Sequence, residues 1–333
     1  MDLTERDQRE LQHFRLLGRA GVGFGIVLFL LGLWQNRSLP FELGIALMGG
    51  GIALFVFSNL KIFQNKLLEI HPRRFFLETW IEIDREAQRE PLPFYDFRPL
   101  WSLIVGAVCL SVMEYFGHTV HFVELANAYA PQLKKSPFFE LMGFAWWSLF
   151  RVFGYFVIPL LVVVFIFREP IREYGLETDG WLEHAWIYAT SFIIVLVCVI
   201  LVARHHPHFQ VYYPFYKLCG RSWLDLMAWE LMYAAQFFSL EFFFRGFWLK
   251  AMKATMGSQA IFAMVVPYCM IHFGKPFLET LAAIIAGIVL GTLAMKTRSI
   301  WSGFLIHVSV ALSMDLAALW VNDSIPEQFW PVL

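Results

Sequence analysis

The chain has 333 residues, of which 58% are hydrophobic, 18% aromatic and 16% charged. Soluble domains are about 45–50% apolar and about 25% charged, so this composition excludes an ordinary water-soluble globule and a disordered chain. The formal net charge of −1 gives no support for an electrostatic nucleic-acid binder. An integral membrane protein is the class that fits.

The apolar residues are collected in long windows along the chain. A membrane-spanning helix needs about 20 mostly apolar residues, and about nine windows approach this length. They lie at 20–35, 43–60, 100–121, 140–167, 184–203, 225–249, 258–273, 277–295 and 300–321. The predicted fold class is therefore all-α, a polytopic transmembrane bundle of about nine helices.

The charges predict the orientation. The first residues, Met1 to Asp7, are polar and acidic and do not form a signal peptide. Lys and Arg are concentrated in the segments that lie inside if the N-terminus is cytoplasmic. We therefore expect a multi-pass protein of a bacterial inner membrane with its N-terminus in the cytoplasm. The four cysteines are far apart and predict neither a disulfide framework nor a zinc ribbon.

Three regions are predicted along the chain. They are N-terminal transmembrane helices at 1–220 with a cytoplasmic segment at 61–98, core helices at 221–321, and a short tail at 322–333. Within the cytoplasmic segment, Phe76, Trp80 and Ile83 recur at helical spacing. This pattern fits a helix lying on the inner leaflet, or a solvated loop that contains a short helix.

Ionisable side chains inside spanning helices are costly and usually face a partner or a cavity. The chain places ten of them in its windows: Glu114, His118, His121, Arg151, Glu230, Glu241, Arg245, His272, His307 and Asp315. Most of these fall in the last third of the sequence. We therefore expect the functional site there.

Glu241 and Arg245 are four residues apart, so on a helix they meet on one face as an ion pair. Such a pair could simply lock a helix. His272 ends an apolar run, and His307 and Asp315 lie two turns apart along one helix face. Each residue alone could be structural, but polar groups that converge from three helices are typical of a site.

These residue types support water-based hydrolysis. A carboxylate in a dry bundle can act as a general base, and imidazoles can donate hydrogen bonds to a developing oxyanion. No Ser or Cys motif predicts a covalent nucleophile. Two His and a Glu could form a zinc-like trio, although the HExxH motif is absent. We expect no cofactor and leave a divalent metal such as zinc as an open alternative.

The last third of the chain resembles a known family. The resemblance rests on Glu241 to Arg245 followed by Gly246, on Tyr268 four residues before His272, on a helix with Gly287 and Gly291, and on His307. Over 225–320 the sequence is similar to the CPBP family, the CAAX-protease and bacteriocin-processing (Abi) intramembrane endopeptidases. The resemblance implies hydrolysis of a peptide bond in a membrane-associated protein or peptide within the lipid bilayer.

The family pattern has two adjacent Glu before the Arg, of which the first is thought to activate water. Here Glu241 matches the second, and Leu240 stands at the first. Ala311 stands at the family's Asn or Asp position, with Asp315 one turn later. The resemblance implies that Glu241 or a nearby carboxylate, Asp315 or Glu279, activates water.

The predicted catalytic residues are Glu241, His272, His307, Arg245 and Asp315. In this hypothesis His272 and His307 stabilise the oxyanion, Arg245 holds Glu241, and Asp315 orients His307.

The sequence leaves three alternative functions to compare with a protease. A catalytically silent relative that binds a membrane protein in immunity or assembly is favoured by Leu240 and Ala311. A di-iron enzyme would need more histidine boxes than the two clusters, one at His118 and His121 and the other between 205 and 208. A transporter is disfavoured because no internal repeat is visible.

Overall fold

The computed structural model describes residues 3–35, 37–90, 95–178, 182–183, 185–275 and 277–331. Every regular element in these ranges is a helix, which confirms the all-α class. The α-helices are α1 (Glu5–Gln35), α2 (Ser38–Asn59), α3 (Lys61–Glu69), α4 (Thr79–Arg89), α5 (Arg98–Phe116), α6 (Thr119–Tyr129), α7 (Phe139–Val152), α8 (Ile158–Leu161), α9 (Ala185–His205), α10 (Pro207–Tyr212), α11 (Trp223–Glu241), α12 (Leu249–Met256), α13 (Gln259–Met270), α14 (Phe277–Thr297) and α15 (Trp301–Val321).

Shorter helical turns join several of these elements. π-Helical turns occur at Arg73–Glu78, Phe153–Val157, Val162–Phe167 and Phe242–Trp248. 3₁₀ turns occur at Pro131–Lys135, Ile171–Tyr174 and Lys217–Arg221. The π turns at 153–157 and 162–167 extend α7 through α8 into one helical segment that ends at Phe167.

Seven helical segments in the described ranges are long and apolar enough to cross a membrane. They are Glu5–Gln35, Ser38–Asn59, Arg98–Phe116, Phe139–Phe167, Ala185–His205, Glu279–Thr297 and Trp301–Val321. A helical polytopic bundle is confirmed, whereas the count of about nine spans is not.

The two remaining windows, 225–249 and 258–273, are not among the candidate membrane spans, for two physical reasons. The second corresponds to α13, which has 12 residues and is about 18 Å long, less than the hydrocarbon core of about 30 Å. The first corresponds to α11 and its continuation, which carry Glu230, Glu241 and Arg245. These helices are rich in buried residues and form much of the protein core.

The chain folds into two compact units, Met1–Thr79 with Val197–His205, and Trp80–Leu196 with His206–Leu333. In the first unit, α1 packs on α2 through facing glycines. A Cβ at Gly18 would lie 2.8 Å from the carbonyl oxygen of Gly51. Small residues of this kind let two membrane helices approach closely.

The second unit is built around the passage from α11 into α12. This passage is the π turn Phe242–Trp248, and all seven of its residues are buried. The indole nitrogen of Trp248 donates to the carbonyl oxygen of Ser102 in α5 at 2.8 Å. A Cβ at Gly106 would overlap that indole. Helix α5 therefore anchors the π turn, and with it the end of α11 where Glu241 lies.

The hydrophilic segment predicted at 61–98 is largely helical in its described part, as the spacing of Phe76, Trp80 and Ile83 indicated. Trp80 donates from its indole nitrogen to Thr292 Oγ1 in α14 at 3.0 Å, and Ile83 is 3% exposed. Two of the three apolar residues thus pack against protein in the second unit. Residues 91–94 of this segment lie outside the described residues.

Candidate active site

The sequence-predicted residues converge from three helices in the second unit. Glu241 is the last residue of α11, and Arg245 lies in the π turn that follows. His272 comes just after α13, which ends at Met270. His307 lies in the second turn of α15. The structure brings Glu241, Arg245 and His307 into direct contact, and Tyr268 of α13 joins them.

Glu241 is the centre of the ion pairs. Its side chain is fully buried, and its Oε1 atom lies 3.1 Å from Arg245 Nη1 and 2.9 Å from His307 Nδ1. The ion pair predicted from the four-residue spacing is therefore present. A Cβ at Gly303 would collide with Oε2 of Glu241, so the glycine leaves room for the carboxylate against α15.

His307 has a partner on each ring nitrogen. Nδ1 lies 2.9 Å from Oε1 of Glu241, and a carboxylate can only accept a hydrogen bond. The other nitrogen, Nε2, lies 3.0 Å from the hydroxyl of Tyr268. The imidazole also stacks on the ring of Phe237, with centroids 5.3 Å apart and an interplanar angle of 3°. The ring position and orientation of His307 are thus fixed from three sides.

His272 is held differently. Its Nδ1 atom lies 2.8 Å from the main-chain carbonyl oxygen of Tyr268, which can only accept. The proton is therefore on Nδ1, and Nε2 of the neutral ring carries a lone pair. No described residue forms a hydrogen bond with that nitrogen. Burial lowers the pKa of His272 to about 3, so the ring is neutral and its Nε2 lone pair is available.

Arg245 binds two of the site residues. Its side chain is fully buried and pairs with Glu241. Its guanidinium carbon lies 4.0 Å from the centroid of the Tyr268 ring, which is a close cation–π geometry. A buried charge is tolerated only when it is well paired, and here a carboxylate and an aromatic face surround it. Arg245 therefore fixes Glu241 and Tyr268 relative to each other.

Asp315 has partners other than the one expected. The indole nitrogen of Trp229 in α11 donates to Asp315 Oδ2 at 2.7 Å. The carboxyl group of Asp315 also interacts electrostatically with that of Glu230. The expectation that Asp315 orients His307 is corrected, because both nitrogens of His307 are occupied by Glu241 and Tyr268. Spacing along one helix did not reveal which neighbouring helix supplies the partners.

The structure also shows the surroundings of Glu279, an alternative base, and of Leu240 and Ala311, which depart from the family pattern. Glu279 pairs with Lys275 at 2.7 Å and accepts from the hydroxyl of Tyr213 at 2.7 Å. Leu240 and Ala311 are 5% and 6% exposed and lie in hydrophobic clusters. Both positions that depart from the family pattern are thus apolar packing positions in this protein.

Sequence reasoning gave no role in the site to four residues that touch these groups: Phe237, Gly303, Tyr268 and Glu230. For two of these residues, Tyr268 and Gly303, the sequence spacing contains a signal of their place in the site. Tyr268 lies four residues before His272, and Gly303 lies four residues before His307, so each shares a helix face with an imidazole. Phe237 and Glu230 gave no comparable signal, because their partners lie on another helix.

The described residues hold no cluster of three or more His, Cys, Asp or Glu side chains that could bind a metal ion. The histidines of the first sequence cluster have local partners instead. His118 lies 3.4 Å from Glu114, and His121 lies 3.3 Å from Glu124.

Residues 221–313 match the sequence model of the family described as "Type II CAAX prenyl endopeptidase Rce1-like", which is consistent with a CPBP family member. The matched segment includes Glu241, Arg245, His272 and His307. No curated protein and no solved structure matches the chain. Because the Rce1-like family consists of membrane proteases, the match supports a protease of the CAAX type in an integral, multi-pass membrane protein.

Proposed function

We propose that the chain is an intramembrane endopeptidase of the CAAX-protease type. Its substrate is a membrane-associated protein or peptide, and the reaction is hydrolysis of a peptide bond in the lipid bilayer. The observation that carries this proposal is the contact of Glu241 with both Arg245 and His307 inside the segment that matches the family. Buried polar groups that converge from several helices are the expected form of such a site.

The proposal assigns water activation to His272. Glu241, the base expected from the sequence, has a fully buried side chain whose Oε1 atom is committed to two partners. His272 has a free lone pair on Nε2, since its proton is held on Nδ1 by the carbonyl of Tyr268. Nε2 takes a proton from water while the water oxygen attacks the carbonyl carbon. It then returns the proton to the leaving amine, and such a base contributes about 10²- to 10⁴-fold.

In this proposal Glu241 and His307 stabilise the negative charge that develops on the carbonyl oxygen of the substrate. The carboxylate of Glu241 holds the imidazole of His307 in place. The imidazole held in this way stabilises the oxyanion electrostatically in a water-poor site, where such stabilisation is most effective. Arg245 keeps Glu241 in place for this role.

Cleavage by the purified protein in liposomes tests the proposal. The probes are two fluorogenic peptides of one sequence that ends in a CAAX-type tetrapeptide, one farnesylated and one not. We expect cleavage of at least one peptide, and a loss of about 10²- to 10⁴-fold in the His272→Gln variant. The matched control is His208→Gln, because His208 is exposed outside the matched segment. Full activity of His272→Gln would contradict the proposal.

A second function is favoured by one observation. Leu240 and Ala311 are buried among apolar residues at positions where the family pattern has polar side chains. A catalytically silent relative that binds a membrane protein or peptide would have the fold without the chemistry. In the same liposomes, binding of the farnesylated peptide without cleavage by the unmodified protein would favour this function over the first.

A further inference from the structure

Tyr268 touches both imidazoles of the site through two different groups. Its hydroxyl lies 3.0 Å from His307 Nε2, and its main-chain carbonyl oxygen lies 2.8 Å from His272 Nδ1. We propose that Tyr268 is a positioning residue that fixes both imidazoles and thereby decides which of them is the free base. The kinetic consequence rests on the proposed function, whereas the placement of protons does not.

The hydroxyl of Tyr268 suits His307 in either charge state. Neutral His307 has its proton on Nδ1 and a lone pair on Nε2, so the hydroxyl donates to Nε2. Protonated His307 has a proton on Nε2, and the hydroxyl oxygen accepts it. A hydroxyl can do both, which a Phe ring at this position could not. Tyr268 therefore orients His307 whether or not Nε2 carries a proton.

The ring of Tyr268 is itself held in place. It is 1% exposed, and Arg245 lies over its face. The ring of Phe244 packs against it edge-on with centroids 5.3 Å apart. On α14, Gly287 is so close that an added Cβ would lie 3.1 Å from Cδ1 of the tyrosine. The hydroxyl is thus presented to His307 from a rigid ring.

The end of α13 explains why the carbonyl of Tyr268 is available to His272. In a continuing α-helix the main-chain nitrogen of His272 would donate to that carbonyl. Here the helix tightens at its end, and this nitrogen donates to the carbonyl of Cys269 at 3.0 Å. The carbonyl of Tyr268 is left for the side chain of His272, and the hydrogen bond sets the tautomer of the ring.

The two contacts make the imidazoles unequal. Nε2 of His272 keeps a free lone pair, whereas Nε2 of His307 is covered by the tyrosine hydroxyl. Without that hydroxyl, both rings would present a basic nitrogen. The hydroxyl of Tyr268 is therefore the group that distinguishes the base from the held imidazole.

Site-resolved modification by diethyl pyrocarbonate tests this inference without any substrate. The reagent acylates an imidazole nitrogen that has a free lone pair, and mass spectrometry reads each histidine separately. In the unmodified protein we expect His272 to react faster than His307. In Tyr268→Phe we expect modification of His307 to rise by about two- to tenfold, as for the loss of one ordinary hydrogen bond.

The matched control is Tyr155→Phe. Tyr155 is also 1% exposed and also contacts the ring of Phe244, but it does not touch His307. An equal rise of His307 modification in both variants would show a general loosening of the core and would overturn the inference. Unchanged modification of His307 in Tyr268→Phe would also overturn it.

A second substitution keeps the test decisive if Tyr268→Phe folds poorly. Replacement of Tyr268 by 4-aminophenylalanine returns an N–H donor at the same place, so we expect His307 to be protected as in the unmodified protein. High reactivity of His307 in this folded variant would count against the inference.

In the peptide assay, we expect Tyr268→Phe to lower kcat by up to about 100-fold with little change in KM, because His307 is misplaced after binding. If the modification pattern holds and no peptide is cleaved, the proposed function fails and the positioning role stands.

Discussion

Helices α11 and α15 carry two buried polar clusters with different chemistry. The first, here the imidazole cluster, joins Glu241 to His307, and Arg245 and Tyr268 complete it. The second, here the carboxyl cluster, consists of Trp229, Glu230 and Asp315. One pair of helices thus supports a buried ion pair that holds an imidazole and, separately, a polar contact suited to fixing helix packing.

The difference lies in how each cluster balances charge. The imidazole cluster contains a buried cation, Arg245, that pairs with the carboxylate of Glu241. The carboxyl cluster forms no ion pair with a cationic side chain among the described residues. Its two carboxyl groups, those of Glu230 and Asp315, interact with each other instead, and a proton on one of them would remove one negative charge from the interior.

Aromatic rings separate the two clusters along α11. Trp229 stacks on Tyr233 with centroids 4.8 Å apart, and Tyr233 contacts Phe237 at 4.5 Å. Phe237 in turn stacks on His307. We expect substitutions in one cluster to act on stability and activity separately from those in the other.

The largest effect is expected from Arg245→Leu, which leaves the charge of Glu241 buried without a cation. Breaking a buried pair from one side costs about 3–5 kcal/mol of the free energy of unfolding. Unfolding in detergent, followed by circular dichroism, measures it. The double variant Arg245→Leu with Glu241→Gln should recover part of the loss, and no recovery would mean that Arg245 acts through other contacts.

A smaller loss of stability is expected for Gly303→Ala. The new Cβ would meet Oε2 of Glu241, and such overpacking costs about 1–3 kcal/mol. Displacement of the carboxylate should also lower kcat by about 10²-fold. Gly143→Ala is the control, because a Cβ there would make only ordinary contacts of 3.6 Å. Equal losses of activity in the two variants would refute the role of Gly303.

Substitutions of Asp315 test the carboxyl cluster. Asp315→Ala leaves the Trp229 indole and the Glu230 carboxyl without their partner and should cost about 1–3 kcal/mol of the free energy of unfolding. Asp315→Asn retains an acceptor for Trp229 and offers an N–H to Glu230, so its stability should be close to that of the unmodified protein. The same ordering should hold in thermal unfolding. If Asp315→Asn is no more stable than Asp315→Ala, the polar contacts of residue 315 with Trp229 and Glu230 do not contribute to stability.

The smallest effect is expected for Phe237→Leu, which removes the ring stacked on His307. Aromatic pairs contribute about 0.5–1.5 kcal/mol beyond their buried area. Phe144→Leu, whose ring contacts Trp229 at 4.9 Å, is the counterpart beside the carboxyl cluster. Only Phe237→Leu should change peptide cleavage. Equal changes in cleavage would mean that the two clusters are coupled.

The sequence predicted features that depend on local spacing. The four-residue interval between Glu241 and Arg245 predicted their ion pair, and long apolar runs predicted the helical bundle. It could not predict which residues face each other across helices. Asp315 shares a helix with His307, yet its partners Trp229 and Glu230 lie on α11. Tyr268 was noted only as part of the family pattern, because a hydroxyl shows its role only once its neighbour is known.

The most direct test is a double-substitution cycle on peptide cleavage with Glu241→Gln, His307→Gln and the pair together. Residues that act as one unit are strongly non-additive, so the double variant should lose little more kcat/KM than the worse single variant. Asp315→Asn should add no further loss to that of His307→Gln, because the two residues belong to independent clusters. Multiplying losses for Glu241 and His307 would contradict a shared site.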